Sequence, residues 1–408
     1  MGYWAGLLLI VAGAVADAGG IVLVGVVTIL VATLRSLWSR FGLRGLTYER
    51  RLGATRAVVG DEIPLELTVR NRKLLPIPWL GVDDLLSRPA MIEGRDLEPA
   101  DVPGFGFLRT TWTLGWFERA TRHLRIIGDR RGVYEFGGAR LQVADLFARD
   151  LIAEQRPASE RYWIIPRSVP VRASTATSQL PGTARVRRGL FEDPAQFAGV
   201  RPYLPGDPAR RVHWKATGRL GRTVSRRYDP GQEREIVIAL DAQTIPGPFW
   251  RMQYDEELVE EVCMVAMSLA RRVIGDGIAC GLSANAYSLG GRRRVHVAPS
   301  ASAGQVAMIA DELAALSRWA SMPFGALLGQ LTHRVRPATI ILAVSAREPD
   351  EFLPTMRRLS ASGHPVRLLA LGPNASRAVT SARTLGLDAT VARLSPDWRT
   401  ADALELVG

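Results

Sequence analysis

Two apolar runs near the start of the chain, Tyr3 to Ala16 and Ile21 to Trp38, constrain the fold most, because no charge interrupts either before Arg35. Such runs must be buried in protein or in lipid. The break between them, Asp17-Ala18-Gly19-Gly20, is polar and flexible, which suits the turn of a helical hairpin. The second run is long enough to cross a bilayer as a helix. The first reaches only about 21 Å against roughly 30 Å of hydrocarbon, so it must thin the bilayer or lean on its neighbour. A single span is the alternative. A cleaved signal peptide is not expected, since no basic residue precedes the first run.

Arg35, Arg40, Arg44, Arg50 and Arg51 end or follow the second run, whereas the turn has no lysine or arginine. That asymmetry predicts a multi-pass protein of the cell membrane with its soluble domains in the cytoplasm, meeting the lipid bilayer through residues 3–38. Tyr3, Trp4 and Trp38 suit the interfacial belts at the ends of the spans.

The formal charge of +12 would ordinarily suggest an anionic partner. Lys73 and Lys215 are the only lysines, however, so the excess is almost entirely arginine and reads as compositional bias. The basic runs Arg185 to Arg188 and Arg292 to Arg294 are short and lack interleaved aromatics. They read as solvated loop ends. Nucleic acid is therefore not the expected partner, although an anionic membrane would attract both runs. The two cysteines, Cys263 in a helical pattern and Cys280 in a strand pattern, read as small core residues.

From residue 45 to about 170 the pattern is that of strands. Ile63, Leu65, Leu67 and Val69 alternate with polar neighbours, and Pro64 belongs at the start of that strand or on an edge. Further strands are expected at Trp79 to Leu85, Phe107 to Leu114, Thr121 to Ile127, Val133 to Val143 and Tyr162 to Ile165, which together suggest a β-sandwich. Residues 171–190 are rich in Ser, Thr, Ala and Pro and read as a linker. Beyond them lies a segment over 191–408 in which apolar strands, Ile236 to Leu240, Ile278 to Ala284, Val295 to Ala298, Ile340 to Val344 and Val366 to Leu371, alternate with helices. Asp255 to Ile274, Gln305 to Trp319 and Glu351 to Ser360 are the helical patterns. A buried, mostly parallel sheet is expected.

The segment Phe197 to Asp241 carries the densest local signals. Pro205-Gly206 suits the centre of a type II turn, and Asp207 followed by Pro208 reads as the start of a capped helix, Ala209 to Thr217, stopped by Gly218. Arg210 and Trp214 lie one turn apart, within reach of guanidinium-on-indole stacking. This set serves either as a docking or anion surface or as a lock that holds the helix on its neighbour, with the lock favoured.

The spacing Arg201, Tyr203, Gly206-Asp207, Arg210, His213-Trp214, Thr217, Arg219 resembles the signature of the bacterial domain-of-unknown-function-58 family. The passage Arg130 to Asp150 is similar to a family strand-turn ending in Asp-Pro-Phe-Gly, but here Asp145-Leu146-Phe147-Ala148 lacks the proline and the glycine. From about residue 234 onward the alternation resembles a von Willebrand factor A domain, a Rossmann-like α/β fold. The resemblance implies a multidomain chain, with a transmembrane hairpin over 1–44, a β-sandwich over 45–170 and a von Willebrand factor A-type α/β domain at the end. It also implies a membrane-anchored partner of MoxR-type AAA+ ATPases, with no chemistry attached.

In metal-binding von Willebrand A domains the residue equivalent to Asp241 begins an Asp-x-Ser-x-Ser run that holds Mg²⁺ through oxygen ligands. This chain reads Asp241-Ala242-Gln243-Thr244-Ile245, and Ser345 stands where a second aspartate is expected, so the site is degenerate and no metal is expected. No cofactor is expected either. A phosphate-binding Walker run is lacking, and His123, His213, His296, His333 and His364 are scattered without ligand spacing. Gly281-Leu282-Ser283-Ala284-Asn285 lacks the second glycine of a nucleophile elbow. The expected function is that of a non-catalytic interaction protein. A basic module for anionic lipid or nucleic acid, and a hydrolase of the cell envelope, are the alternatives.

Overall fold

The computed structural model describes residues 2–88, 90–144, 151–157, 159–173, 197–203, 212–228, 235–288, 294–394 and 398–407. It divides into two compact units, Met1–Pro166 and Arg167–Gly408.

The first unit opens with α1 (Gly2–Val15) and α2 (Gly19–Phe41), joined by a turn in which Asp17 takes a positive φ of 49°. α2 has 23 residues, a mean hydropathy of 2.2 and sufficient length to cross a membrane, whereas α1 is a shorter apolar helix. The two pack through glycine. A Cβ on Gly6 would lie 2.9 Å from the Gly25 carbonyl oxygen, and one on Gly25 would lie 2.8 Å from that of Gly6. Backbones this close use dispersion between small residues, the means by which helices associate in lipid.

Eleven strands follow: β1 (Leu46–Leu52), β2 (Arg56–Val58), β3 (Glu62–Asn71), β4 (Ile77–Ser87), β5 (Met91–Ile92), β6 (Glu98–Pro99), β7 (Phe105–Leu114), β8 (Arg119–Ile127), β9 (Gly132–Ala144), β10 (Leu151–Arg156) and β11 (Glu160–Ile165). They form two sheets, in the orders β1-β3-β8-β5 and β2-β11-β9-β4-β7-β6, with β10 alongside β9. Ile63, Leu65, Leu67 and Val69 of β3 are buried, as their period of two requires. Pro64 sits near the start of β3, where its missing N–H breaks little of the ladder. A buried polar link joins the two sheets. The Tyr48 hydroxyl and Arg50, both on β1, reach Asp84 on β4, with Arg50 Nη1 2.8 Å from Asp84 Oδ1 and its guanidinium 4.3 Å from the Phe136 ring centroid.

The chain enters and leaves this sandwich at opposite ends. Leu46 pairs with Asn71, Arg70 with Arg119 and Ile77 with Leu114, so the loops 72–76 and 115–118 lie at the end where α2 arrives. At the other end the Val59 N–H donates to Ile165 O at 3.0 Å, one residue before Pro166.

The second unit contains β12 (Val171–Ala173), β13 (Phe197–Pro202), α3 (Trp214–Leu220), β14 (Val224–Tyr228), β15 (Glu235–Leu240), α4 (Glu256–Gly275), β16 (Ala279–Tyr287), β17 (Arg294–Ser300), α5 (Gln305–Ala314), α6 (Phe324–Leu331), β18 (Ile340–Ser345), α7 (Leu353–Ala361), β19 (Val366–Ala370), α8 (Ala375–Thr384), β20 (Asp388–Arg393) and β21 (Leu404–Val407). Eight strands form one sheet in the order β12-β21-β20-β19-β18-β15-β16-β17. β20, β19, β18, β15 and β16 run parallel, while β17 opposes β16 and β21 opposes β20. The sheet is mostly parallel, as expected, and the reversed direction of β17 was not legible because an apolar run encodes burial but not direction. The expected linker also begins differently, since Val171–Ala173 adds an edge strand beside β21.

Both faces of the sheet are covered, which is why β15, β18 and β19 read as unbroken apolar runs. Val237, Ala239, Ile341, Ala343 and Leu368 pack against Phe324 and Leu328 of α6, Met356 of α7 and Val379 of α8. α4 is buried continuously from Val262 to Ala270 and starts at Asp255, whose carboxylate accepts from the N–H groups of Glu257 and Leu258.

Candidate functional site

Sheet connections run from β15 to β16 on one side and from β17 to β18 on the other, so the crevice beyond β15 is the point where strand order reverses. Open α/β sheets place ligand sites there. Asp241, the first residue after β15, is fully buried, and protein donors take up both of its carboxylate oxygens. Oδ1 accepts from Asn285 Nδ2 at 2.8 Å and from the Gln243 N–H at 3.1 Å. Oδ2 accepts from Ser345 Oγ at 3.0 Å and from Arg347 Nε at 2.7 Å. Arg347 also reaches Glu351 at 2.7 Å and lies 5.3 Å from the Phe352 ring centroid. A guanidinium thus stands against the aspartate carboxylate.

Burial pushes the Asp241 carboxyl up, while Arg347, Asn285 and Gln243 pull it down. Asn285 further ties the cluster together, since its Oδ1 accepts from the Ala242 N–H at 2.7 Å and its Nδ2 donates to Met322 O at 3.2 Å. Gln243 and Thr244, the residues that could have offered oxygens to a cation, are turned to local duty. Gln243 donates to Ile245 O, and the Thr244 hydroxyl accepts from the Asp255 N–H at 2.8 Å. Among the described residues no group of three His, Cys, Asp or Glu side chains gathers in a way that could hold a metal.

The loop after this sealed cluster is different in character. It forms a short 3₁₀ turn, Phe249–Arg251, in which Phe249 and Trp250 meet edge to face. Trp250 and Met252 remain 68% and 59% exposed.

The signature segment is a two-stranded ribbon of β13 and β14 with α3 between them. Gly206, Asp207 and Arg210 lie outside the described residues, as does the run Asp145 to Ala148. The expected helix start at Ala209 also lies outside the described residues; α3 begins at Trp214, and its N-cap is His213, whose Nδ1 accepts from the Ala216 N–H at 3.1 Å. It passes through Gly218 and stops at Gly221, which adopts the left-handed conformation at φ 62°. The Thr217 hydroxyl accepts from the Val224 N–H at 3.2 Å, fastening helix to strand. Tyr203 continues the ribbon through its N–H to Thr223 O, and Arg201 Nη1 donates to Pro202 O at 3.2 Å. Trp214, by contrast, is 70% exposed, and Arg219 lies in the solvent-facing last turn.

One further pair escaped the sequence reading. Ser283 Oγ lies 2.7 Å from His296 Nδ1 across the antiparallel strands β16 and β17. Ser283 is 1% exposed, which denies a substrate access to the hydroxyl. Cys263 and Cys280 are buried thiols outside any disulfide, and burial pushes the Cys280 thiol up to about 12.

No protein-family model matches the chain. An uncharacterized protein of Bacillus subtilis (strain 168), YeaD, is 21% identical over 257 residues, which cover 60% of this chain and 58% of that protein; the chain thus spans a little over half the length of this relative. Among solved structures, the CARDB domain of a Pyrococcus furiosus protein is similar at 15% identity and a TM-score of 0.18, covering 28% of this chain and 85% of that one. AvmM, described as catalysing macrocyclization in alchivemycin A biosynthesis, is similar at 13% identity and a TM-score of 0.22, over 30% of this chain and 91% of that one.

Proposed function

We propose that this chain is a membrane-anchored, non-catalytic accessory protein of the domain-of-unknown-function-58 type, whose α/β domain docks a MoxR-type AAA+ ATPase. The order of strands around β15, with the third strand of the domain reversed, supports a von Willebrand factor A-type fold. The glycine-packed pair α1 and α2 supports a two-span anchor, and the arginines after α2 support a cytoplasmic placement of the soluble units.

A single contrast carries the docking reading: Asp241 is closed off by Arg347, while Trp250 and Met252 on the very next loop present exposed apolar surface. Exposed aromatic and methionine side chains at the mouth of an α/β sheet suit a protein partner better than a small substrate. The partner's identity rests on the signature resemblance. The test is co-purification of the full chain with a MoxR-type ATPase in ATP, ADP and nucleotide-free states. Binding that weakens in Trp250→Ser with Met252→Ser supports the reading, and absence of binding in all three states sinks it.

A further inference from the structure

Three exposed apolar side chains cluster in the fold at the end of the sandwich that receives α2. Leu74 is 70% exposed, Trp116 70% and Phe117 63%. Their two loops are held together by Asn71, a fully buried side chain whose Nδ2 donates to Leu75 O at 2.9 Å and to Gly115 O at 2.7 Å. The Phe117 N–H donates to Lys73 O at 3.2 Å, and Phe117 itself is held at a φ of 52°, a backbone state that costs a bulky residue free energy. The fold thus maintains an aromatic tip in water at some expense.

Lys73 fixes where that tip lies. Its ammonium donates to the carbonyls of Phe41 at 2.6 Å, of Gly42, and of Arg44 at 2.7 Å, the unsatisfied end of α2. Trp38, expected to face the lipid interface, is instead turned into the sandwich, with its indole N–H donating to Pro76 O at 3.1 Å. Counted from Gly19, the first residue of α2, a hydrocarbon layer of about 30 Å takes up about 20 residues of helix and ends at Trp38. Phe41, and Lys73 with it, then stand about 4.5 Å past the boundary, inside a headgroup layer of roughly 5–8 Å. Among the described residues, Arg40, Arg44, Arg70, Arg72 and Arg119 are exposed around the same end, together with Glu118, whose carboxylate is engaged by the Gly115 N–H.

We infer that Leu74, Trp116 and Phe117 form a second membrane contact, seated in the interface of the leaflet from which α2 emerges and ringed by arginines that favour anionic headgroups. The inference rests on the membrane-anchor reading above. Aromatic rings beside a basic rim suit that interface.

The test uses the full chain in vesicles of phosphatidylcholine and phosphatidylglycerol, spin-labelled singly at Trp116→Cys, Phe117→Cys, Leu30→Cys or Thr55→Cys. Cys263 and Cys280 are buried and stay unlabelled. The expected result is that labels at 116 and 117 shift toward oxygen and away from an aqueous nickel relaxant, as at 30 but shallower, while 55 stays water-accessible. Labels at 116 and 117 that match 55 while 30 is in lipid overturn the inference and leave the anchor intact. A label at 30 that is also water-accessible overturns the anchor, and this contact with it.

Discussion

Removing Arg347 would leave the Asp241 carboxylate buried with no countercharge, the costly way to break a buried pair. Arg347→Met is expected to destabilise the α/β unit by about 3–5 kcal/mol, a fall in Tm on the order of 10 °C. Replacing both partners, as Asp241→Asn with Arg347→Met, should recover part of that loss, since the amide carries no charge and still offers an acceptor to the donors around it, while Arg347 Nη2 is itself buried without a partner. A thermal-unfolding cycle over the three variants measures it, and additive losses would contradict the pairing. Asp241 was legible as the residue ending a strand, but its partner was not. Arg347 lies 106 positions further on, and only the placement of β18 beside β15 brings the two together. The signal available in the sequence was negative: Gln243 and Ile245 where the hydroxyl ligands would be needed, and Ser345 in place of a second aspartate.

Elements differ in how openly the sequence declares them. α4 could be read almost whole, because Asp255 caps it and an apolar stripe runs its length. α3 could not, because the stronger cap signal, Asp207-Pro208, precedes a histidine that caps through a ring nitrogen. Signature positions therefore separate by role. His213→Ala or Thr217→Ala should each cost about 1 kcal/mol by loss of a backbone partner. Trp214→Ala should leave the melting temperature unchanged while weakening any partner complex, and a large loss of stability there would return Trp214 to a structural role. In the anchor, a Cβ on Gly2 would lie 3.2 Å from Ala32 Cβ, so Gly2→Cys with Ala32→Cys should form a disulfide under mild oxidation. Adding Gly25→Leu, whose side chain would collide with Ile10 and the Gly6 carbonyl, should abolish the cross-link. Persistence of the cross-link would contradict the glycine-mediated packing.

For the whole molecule, arginine asymmetry around α2 sets the expected side of the bilayer. Thr55→Cys, on the sandwich end remote from α2, should resist a membrane-impermeant maleimide in intact cells and react once the cells are opened. Labelling of intact cells would place the soluble units outside. The two-layer β unit and the α/β unit were both visible as periodicity, two in the first and alternation with longer helical segments in the second. Strand order was not visible, because it depends on which edges meet and not on any local run.

The opposed entry and exit of the sandwich set how it bears load. β3 alone spans ten residues, about 33 Å of strand. A pull on Pro166 against a fixed α2 is directed along the strands, so rungs of the ladder strain together in shear and do not unzip singly. That arrangement makes the sandwich stiff along the line that joins its two ends.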